Sequence, residues 1–284
     1  MRQNVKMTDN KIRVGYAQLC CDGDRNHMLL KAEKMIQQLF KEKSEMDILV
    51  FPEQFYQVDC CRFSDEPFGE KEYGNYYKFM SQIAASYNVN VVAGSYGVIV
   101  GEGDNCEIRN RSIAFDRHGN EIGYYDKIHL FDAFGCRESD TFSPGSALGI
   151  FKLDCGCIGV MICYDLRFPE ESRAIRLKAD MDLLCVPAAF YKPNSYHWDI
   201  LTKAAAIYNV TPLVAVNQCG DLPNNKGFVG NSRVLDAKGN VLSTLMEDEG
   251  TGYSEIDMNH TRSARSENPE INNRRVDLYS HWMK

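Results

Sequence analysis

Short runs of Val, Ile and Leu recur along the chain, and most of them end at Pro, Gly, Asp or Asn. This pattern is typical of buried β-strands. It predicts eight strands, at residues 11–19, 47–53, 89–99, 108–116, 157–163, 181–188, 211–218 and 228–236. Turns containing Gly-Asn predict two β-hairpins, one within residues 114–127 and one within residues 233–244.

Between several of these runs, apolar residues repeat with the period of an amphipathic helix. In residues 27–43 they fall at Met28, Ala32, Ile36 and Leu39. The same spacing predicts further helices at residues 73–88, 169–179 and 196–209. Strands that alternate with helices predict an α/β protein, and the hairpins among them predict sheets that are mixed rather than purely parallel.

The chain contains no linker rich in Pro, Gly or Ser that would divide it into separate domains. We therefore expect an N-terminal extension over residues 1–10 and a single domain over residues 11–284. From about residue 258 the sequence becomes polar and then aromatic, so this part is predicted to form a C-terminal tail that packs on a neighbour or a partner subunit.

The charge and composition of the chain argue against nucleic-acid and membrane partners. The net charge of −7 and the lack of a basic stripe argue against nucleic acid as a partner. The first ten residues have no apolar core of a signal peptide, and no stretch approaches the roughly 20 apolar residues of a membrane span. These features predict a cytoplasmic protein with no membrane partner.

The eleven cysteines are scattered and form no Cys-x-x-Cys pair. Cys155 and Cys157 come nearest to a metal-ligand spacing, but no second pair of Cys or His stands nearby to complete a tetrahedral site. The sequence also lacks the glycine-rich and His-Glu motifs of nucleotide and zinc enzymes. We expect free, mostly buried thiols, with no metal and no cofactor.

Three polar residues stand at or next to the ends of apolar runs: Glu53, Lys127 and Cys163. Each alone has an ordinary explanation, as a solvated strand end, an edge lysine or a small core residue. Together they offer a base, a cation and a thiol. Attack of a thiol on an amide carbon needs a base for its proton and a donor for the developing oxyanion.

The segments around these residues resemble the three signature segments of the nitrilase, or carbon–nitrogen hydrolase, superfamily. They read "FPEQF" (51–55), "YDKIHLFD" (125–132) and "GVMICYDLRFPE" (159–170), and they occur in the order found in that family. Further similarity extends from about residue 11 to about residue 257.

This resemblance implies a four-layer αββα sandwich with mixed sheets and a Glu–Lys–Cys triad. In it, Glu53 is the general base, Cys163 the nucleophile and Lys127 the cation that faces the tetrahedral intermediate and favours the thiolate. The backbone N–H of Tyr164 completes the oxyanion hole. Glu138 matches a second glutamate of the family, which orients the lysine or the substrate amide. The alternative for Glu138 is an ordinary loop carboxylate.

Within the family, "CYDLRFPE", "KIHLFD" and the later "HW" look most like the omega-amidase and deaminated-glutathione amidase branch. Those enzymes release ammonia from the terminal amide of small 2-oxo acid monoamides or related peptides. An N-carbamoyl amino acid or amine hydrolase is the chemical alternative, and a catalytically silent binding protein is the alternative of another class. The loop "FYKPNSYHW" (190–198) differs from that branch and leaves the substrate open.

Four further residues are candidates for substrate binding. Arg167 would bind a substrate carboxylate, or would form an ion pair with a neighbouring acidic residue. Tyr191 falls in the pocket loop of the family, and His197 and Trp198 line the pocket or pack at the start of a helix. The resemblance also implies a homodimer or a larger homo-oligomer that pairs through residues 168–178 and the tail.

Overall fold

The computed structural model describes residues 10–21, 23–57, 68–222 and 226–282, with the side chains of Asp104, Leu222, Lys226 and Ser280 left aside. Almost all of the predicted N-terminal extension lies outside these residues, as do the predicted free thiols Cys60 and Cys61.

The described residues form sixteen β-strands and six α-helices. The strands are β1 Lys11–Gln18, β2 Ile48–Val50, β3 Glu70–Lys71, β4 Asn90–Val92, β5 Tyr96–Val100, β6 Glu107–Phe115, β7 Glu121–Asp126, β8 Gly149–Leu153, β9 Gly156–Val160, β10 Leu183–Ala188, β11 Leu213–Asn217, β12 Asp221–Leu222, β13 Lys226–Gly227, β14 Arg233–Leu235, β15 Val241–Thr244 and β16 Gly250–Asp257. The helices are α1 Arg25–Glu42, α2 Asn75–Tyr87, α3 Pro169–Ala179, α4 Ser195–Asn209, α5 Met258–Glu267 and α6 Val276–Trp282.

Two large mixed sheets contain most of the strands. The first has eight strands in the order β16-β1-β2-β4-β6-β5-β3, with β7 added to β6. The second has six strands in the order β15-β14-β11-β10-β9-β8. Parallel pairs such as β1 with β2 and β9 with β10 stand beside antiparallel pairs such as β1 with β16. The predicted mixed sheets are therefore confirmed.

The layers follow from the alternation of side chains along the strands. In β2, Ile48 and Val50 point into a core that they share with Ile158 and Val160 of β9 in the other sheet. Leu49 points the opposite way, into a second core beneath α1 and α2. Helices α3 and α4 pack on the outer face of the second sheet. The result is the expected four-layer αββα sandwich.

The observed strands differ from the predicted ones at several places. The run at 89–99 is two strands, because Gly94 adopts a φ of +56° and a Cβ there would lie 2.1 Å from the carbonyl oxygen of Pro52. The run at 157–163 ends as a strand at Val160. Strand β16 was not predicted, although it pairs with β1 along its whole length. That pairing joins the two ends of the fold and supports the single domain over 11–284, which stays a prediction.

Candidate active site

Glu53 lies three residues beyond β2, at a backbone bridge to Ser95. The Gln218 side chain donates a hydrogen bond of 2.8 Å to the carbonyl oxygen of Glu53, and this bond fixes the backbone of the glutamate. The backbone N–H of Ala189, just past β10, donates to the Glu53 Oε2 atom at 2.8 Å. Both sheets therefore contribute to the placement of this carboxylate, which is 3% exposed.

Lys127 directly follows β7, and its backbone is held on both sides. Its N–H donates to the carbonyl oxygen of Asn110 at 2.9 Å, and its carbonyl oxygen accepts the N–H of Gly145 at 2.8 Å. Only glycine fits at 145, because a Cβ there would lie 2.0 Å from the carbonyl oxygen of Asp126. The Asp126 carboxylate forms an ion pair of 2.7 Å with Arg111. Its negative charge is therefore balanced by Arg111 rather than by Lys127.

Two donors and two carboxylates form a closed buried array. The Lys127 Nζ atom donates to Glu53 Oε1 at 2.9 Å and to the two Glu138 oxygens at 3.0 and 2.8 Å. The Asn110 amide donates to the Oε1 atoms of the same two glutamates at 2.9 and 3.0 Å. The Phe131 N–H donates to Glu138 Oε2 at 2.7 Å. Glu138 is thus a member of the site.

Cys163 opens a 3₁₀ turn, Cys163–Arg167, three residues beyond β9. Its φ of +48° lies in the left-handed region, which is strained for a residue with a Cβ. Asp165 stabilises the turn by accepting the N–H of Ile162 at 2.9 Å. The Cys163 thiol contacts the Glu53 carboxylate and the backbone N–H of Ala189. Glu53, Lys127 and Cys163 therefore come together as the sequence predicts.

Lys127 lowers the pKa of the Cys163 thiol, as expected, but its effect is too small to make the thiol a thiolate. Burial and the negative charge of Glu53 raise the pKa of Cys163 well above its ordinary value, although Lys127 opposes them. Burial lowers the pKa of Lys127, but the charges of Glu138 and Glu53 outweigh it and raise that pKa well above its ordinary value. The resting site therefore holds an ammonium ion and a neutral thiol beside a carboxylate.

A pocket of about 280 Å³ opens over the thiol. Six aromatic residues and two arginines, Arg137 and Arg167, are among the residues that line it. The other residues lining it include Glu53, Lys127, Glu138, Cys163, Tyr164, Phe131, Phe142, Phe190, Tyr191 and Phe228. A cavity of this kind suits a small molecule with a charged end.

The four candidate binding residues lie in different places. Tyr191 lines the pocket, and Arg167 lines it with its guanidinium 3.3 Å from His197 Nδ1 and over the Phe190 ring. For Trp198 the structure favours the packing alternative, because the side chain is fully buried and donates to the carbonyl oxygen of Asn231 at 3.0 Å. His197 contacts Arg167 without itself lining the pocket.

Sequence reasoning missed Asn110 and the Ala189 N–H. Asn110 stands between Arg109 and Arg111 in the polar half of β6, so the local pattern does not distinguish it from an exposed strand residue. Ala189 contributes only its backbone N–H, and a backbone donor cannot be predicted from the pattern of side chains in the sequence.

Comparison with known proteins places the chain in a family. The carbon–nitrogen hydrolase model matches residues 13–266. Omega-amidase NIT3 of Saccharomyces cerevisiae is 30% identical over 285 residues, which cover 97% of each chain. The 2-oxoglutaramate amidase of Bacillus subtilis is 32% identical over 257 residues, covering 90% of this chain and 95% of the relative. A carbon–nitrogen hydrolase structure from Helicobacter pylori G27 superposes with a TM-score of 0.86 at 26% identity, covering 97% and 99% of the two chains.

The chain belongs to the carbon–nitrogen hydrolase family. The resemblance of its three signature segments to the nitrilase superfamily is confirmed by this match and by the shared fold. Among the described residues, no helix combines the length and the apolar composition needed to cross a bilayer.

Proposed function

We propose that Cys163 is the nucleophile of an amidase and that Glu53 is its general base. The observation that carries this proposal is the contact of a neutral, buried thiol with the Glu53 carboxylate. The carboxylate takes the thiol proton as the sulfur attacks the amide carbon. A permanently ionised thiolate is then not required.

Lys127 and the Tyr164 N–H are proposed to stabilise the oxyanion. The ammonium stays charged between Glu53 and Glu138, and Tyr164 is the second residue of the 3₁₀ turn, where the first N–H groups of a helix lack intrahelical partners. Glu53 then returns its proton to the amide nitrogen and ammonia leaves. Next it takes a proton from water, whose oxygen attacks the thioester, and the carboxylic acid product departs as the thiol is restored.

Glu138 and Asn110 are proposed to position these groups. Glu138 holds two of the hydrogen bonds of Lys127, and Asn110 bridges the two glutamates. Because both glutamates accept from the same two donors, neither donor can turn without breaking contacts with both carboxylates.

We propose that the substrate is a small linear amide that carries a carboxylate, of the 2-oxo acid monoamide class. Arg167 supports this assignment, because within the described ranges its guanidinium forms no ion pair, although Asp165, Glu170 and Glu171 are close in sequence. A charged donor group at the pocket wall is available for a carboxylate. The two amidase relatives, an omega-amidase and a 2-oxoglutaramate amidase, support the same class.

Ammonia release tests this assignment with paired substrates. We expect turnover of 2-oxoglutaramate and weak turnover of amides of similar size without a carboxylate. Arg167→Met should raise KM for 2-oxoglutaramate by about 10- to 100-fold, the range for losing a hydrogen bond to a charged group, and leave KM for the neutral amide unchanged.

Arg167→Lys is the matched control. It keeps the charge but loses the paired donors, so its KM should lie between those of the other two enzymes. Equal effects of Arg167→Met on both substrates would contradict carboxylate binding. Faster release of ammonia from N-carbamoyl amino acids would favour the carbamoyl hydrolase alternative.

We propose that the chain forms a homodimer through α3, α4 and the tail. Apolar side chains are exposed on these elements, namely Leu177, Tyr196, Ile200, Ile207, Val276 and Trp282. Light scattering during gel filtration should give the mass of a dimer, and Ile200→Glu should shift it to the mass of a monomer. Ile122→Glu, on β7, is the matched control and should remain dimeric. A monomeric parent protein at micromolar concentration would contradict the proposal.

A cytoplasmic location is also proposed, because the proposed nucleophile must stay reduced and reducing compartments keep thiols free. Six of the described cysteines form no disulfide within the described ranges, which is consistent with this location, namely Cys106, Cys155, Cys157, Cys163, Cys185 and Cys219. Fluorescence of a tagged chain inside an oxidising compartment of its own cells would contradict it.

A further inference from the structure

A second buried polar cluster lies behind the turn that carries Cys163. It consists of Tyr125 from β7, His129 from the following loop, Asp165 from the turn and Glu171 from α3. Three of its members are buried, and His129 is partly buried beneath the ring of Phe168, 3.7 Å away. None of the four lines the substrate pocket.

The Tyr125 hydroxyl group lies at hydrogen-bond distance from two carboxyl groups, although it has only one hydrogen to donate. Its oxygen lies 2.6 Å from Asp165 Oδ2 and 2.7 Å from Glu171 Oε1. A phenol has a single O–H, so it donates to one carboxyl group only. Two such short contacts, both among buried groups, therefore require that the other carboxyl group carries a proton and donates to the phenol oxygen.

The donors around the two acids show which of them is the anion. Asp165 accepts the Ile162 N–H at its Oδ2 atom and the backbone N–H of His129 at its Oδ1 atom, both at 2.9 Å, and His129 Nδ1 lies 2.9 Å from the same Oδ1 atom. Glu171 has no backbone donor among the described residues, and its Oε2 atom faces His129 Nδ1 at a longer 3.2 Å. Because hydrogen bonds from N–H groups stabilise the ionised form, the proton belongs on Glu171.

We propose that Glu171 holds a proton at neutral pH and uses it to position the turn that carries Cys163. Glu171 donates to Tyr125, Tyr125 donates to Asp165, and Asp165 accepts the N–H of Ile162, directly before the cysteine. Glu171 is thus a positioning residue, and this inference rests on the proposed role of Cys163.

The electrostatics of the cluster agree with this arrangement. Burial, followed by the charge of Asp165, raises the pKa of Glu171 to about 8. Burial raises the pKa of Tyr125 beyond its ordinary range, so the phenol stays protonated. The hydrogen bond with Asp165 raises the pKa of His129, whose positive charge opposes the shift of Glu171. In the described part of the chain, the titratable groups that act on Glu171 are Asp165, Tyr125 and His129.

Loss of this proton should weaken the turn. Above a pH of about 8, Glu171 and Asp165 would both be carboxylates that compete for the single hydroxyl hydrogen of Tyr125. The hydrogen bond that Glu171 donates to Tyr125 would then be lost. The strained backbone of Cys163 then loses support, and kcat should fall as the pH rises. The pKa values of Cys163 and Lys127 are both raised well above their ordinary values, so neither accounts for a change near pH 8.

Infrared spectroscopy tests the protonation without any catalysis. The parent protein at neutral pH should show the C=O stretch of a buried carboxylic acid that disappears as the pH passes about 8. Glu171→Gln should lack this band and Cys163→Ala should retain it. A band that is absent from the parent protein, or that persists in Glu171→Gln, would overturn the assignment, whether or not the chain hydrolyses amides.

The pH profile of kcat tests the positioning role. A glutamine at 171 supplies a permanent donor to Tyr125 and an acceptor to His129, so Glu171→Gln should lose the fall in kcat above pH 8 and keep KM. Glu171→Leu lacks the donor and should lower kcat about tenfold at every pH, the cost of one hydrogen bond to a buried group. The same alkaline fall in Glu171→Gln as in the parent enzyme would overturn the proposal.

Discussion

Cys163→Ala should lower the rate of ammonia release by at least about 1,000-fold, while the protein remains folded with an unchanged circular dichroism spectrum. The reason is that the proposed reaction forms a bond between substrate carbon and the sulfur atom, which alanine cannot form. The change removes one small buried atom and keeps the backbone, so the free energy of unfolding should change little. Ammonia release under saturating 2-oxoglutaramate, with thermal unfolding in parallel, measures both effects.

Cys163→Gly provides a control for backbone strain. The φ of +48° costs a residue with a Cβ about 1–2 kcal/mol, which glycine does not incur. The glycine variant should therefore unfold at a higher temperature than the alanine variant and be equally inactive. Activity of either variant near that of the parent enzyme would show that Cys163 is not the nucleophile.

Lys127→Met should both abolish turnover and destabilise the fold. It leaves Glu53 and Glu138 buried, at 3% and 8% exposure, without the cation between them. Removal of one partner from a buried ion pair typically costs about 3–5 kcal/mol of the free energy of unfolding. Denaturant unfolding measures this loss. The loss should shrink as the pH falls, because an unpaired buried carboxylate binds a proton and becomes neutral.

The double variant Lys127→Met with Glu138→Gln separates the two effects. It removes one positive and one negative charge together, so it should recover most of the lost stability and none of the lost activity. Glu138→Gln alone is the matched control. Equal stability of Lys127→Met and the parent protein would contradict the ionised array, and turnover by the double variant would contradict the proposed oxyanion role of Lys127.

The sequence predicted the site through its strand ends. Glu53 and Cys163 stand where an apolar run stops, Lys127 stands next to another apolar run, and the three matching segments joined them into one hypothesis. What the sequence could not predict is how these groups affect one another's protons. The pKa of Cys163 depends on its burial and on its nearness to Glu53, which follows a strand of the other sheet. The sequence suggested that Lys127 favours the thiolate, which it does, but not the larger opposing effects of burial and Glu53.

Parts of the fold were equally visible in the sequence, and others depended on contacts between distant segments. The helix at 169–179 was predicted to the residue, because Pro169 marks its first turn and the apolar spacing is regular. Strand β16 alternates exposed and buried side chains, but its assignment depends on pairing with β1 some 240 residues away. The break at Gly94 depends on the approach of Pro52, which no local pattern reports.

Mass spectrometry of a rapidly quenched reaction detects the proposed thioester itself. With 2-oxoglutaramate, the peptide containing Cys163 should gain the mass of the substrate less ammonia, and the gain should disappear when hydrolysis is complete. Cys163→Ala should show no gain on any peptide. Steady release of ammonia with an acyl group on another residue, or undiminished release by Cys163→Ala, would contradict the proposed thioester mechanism.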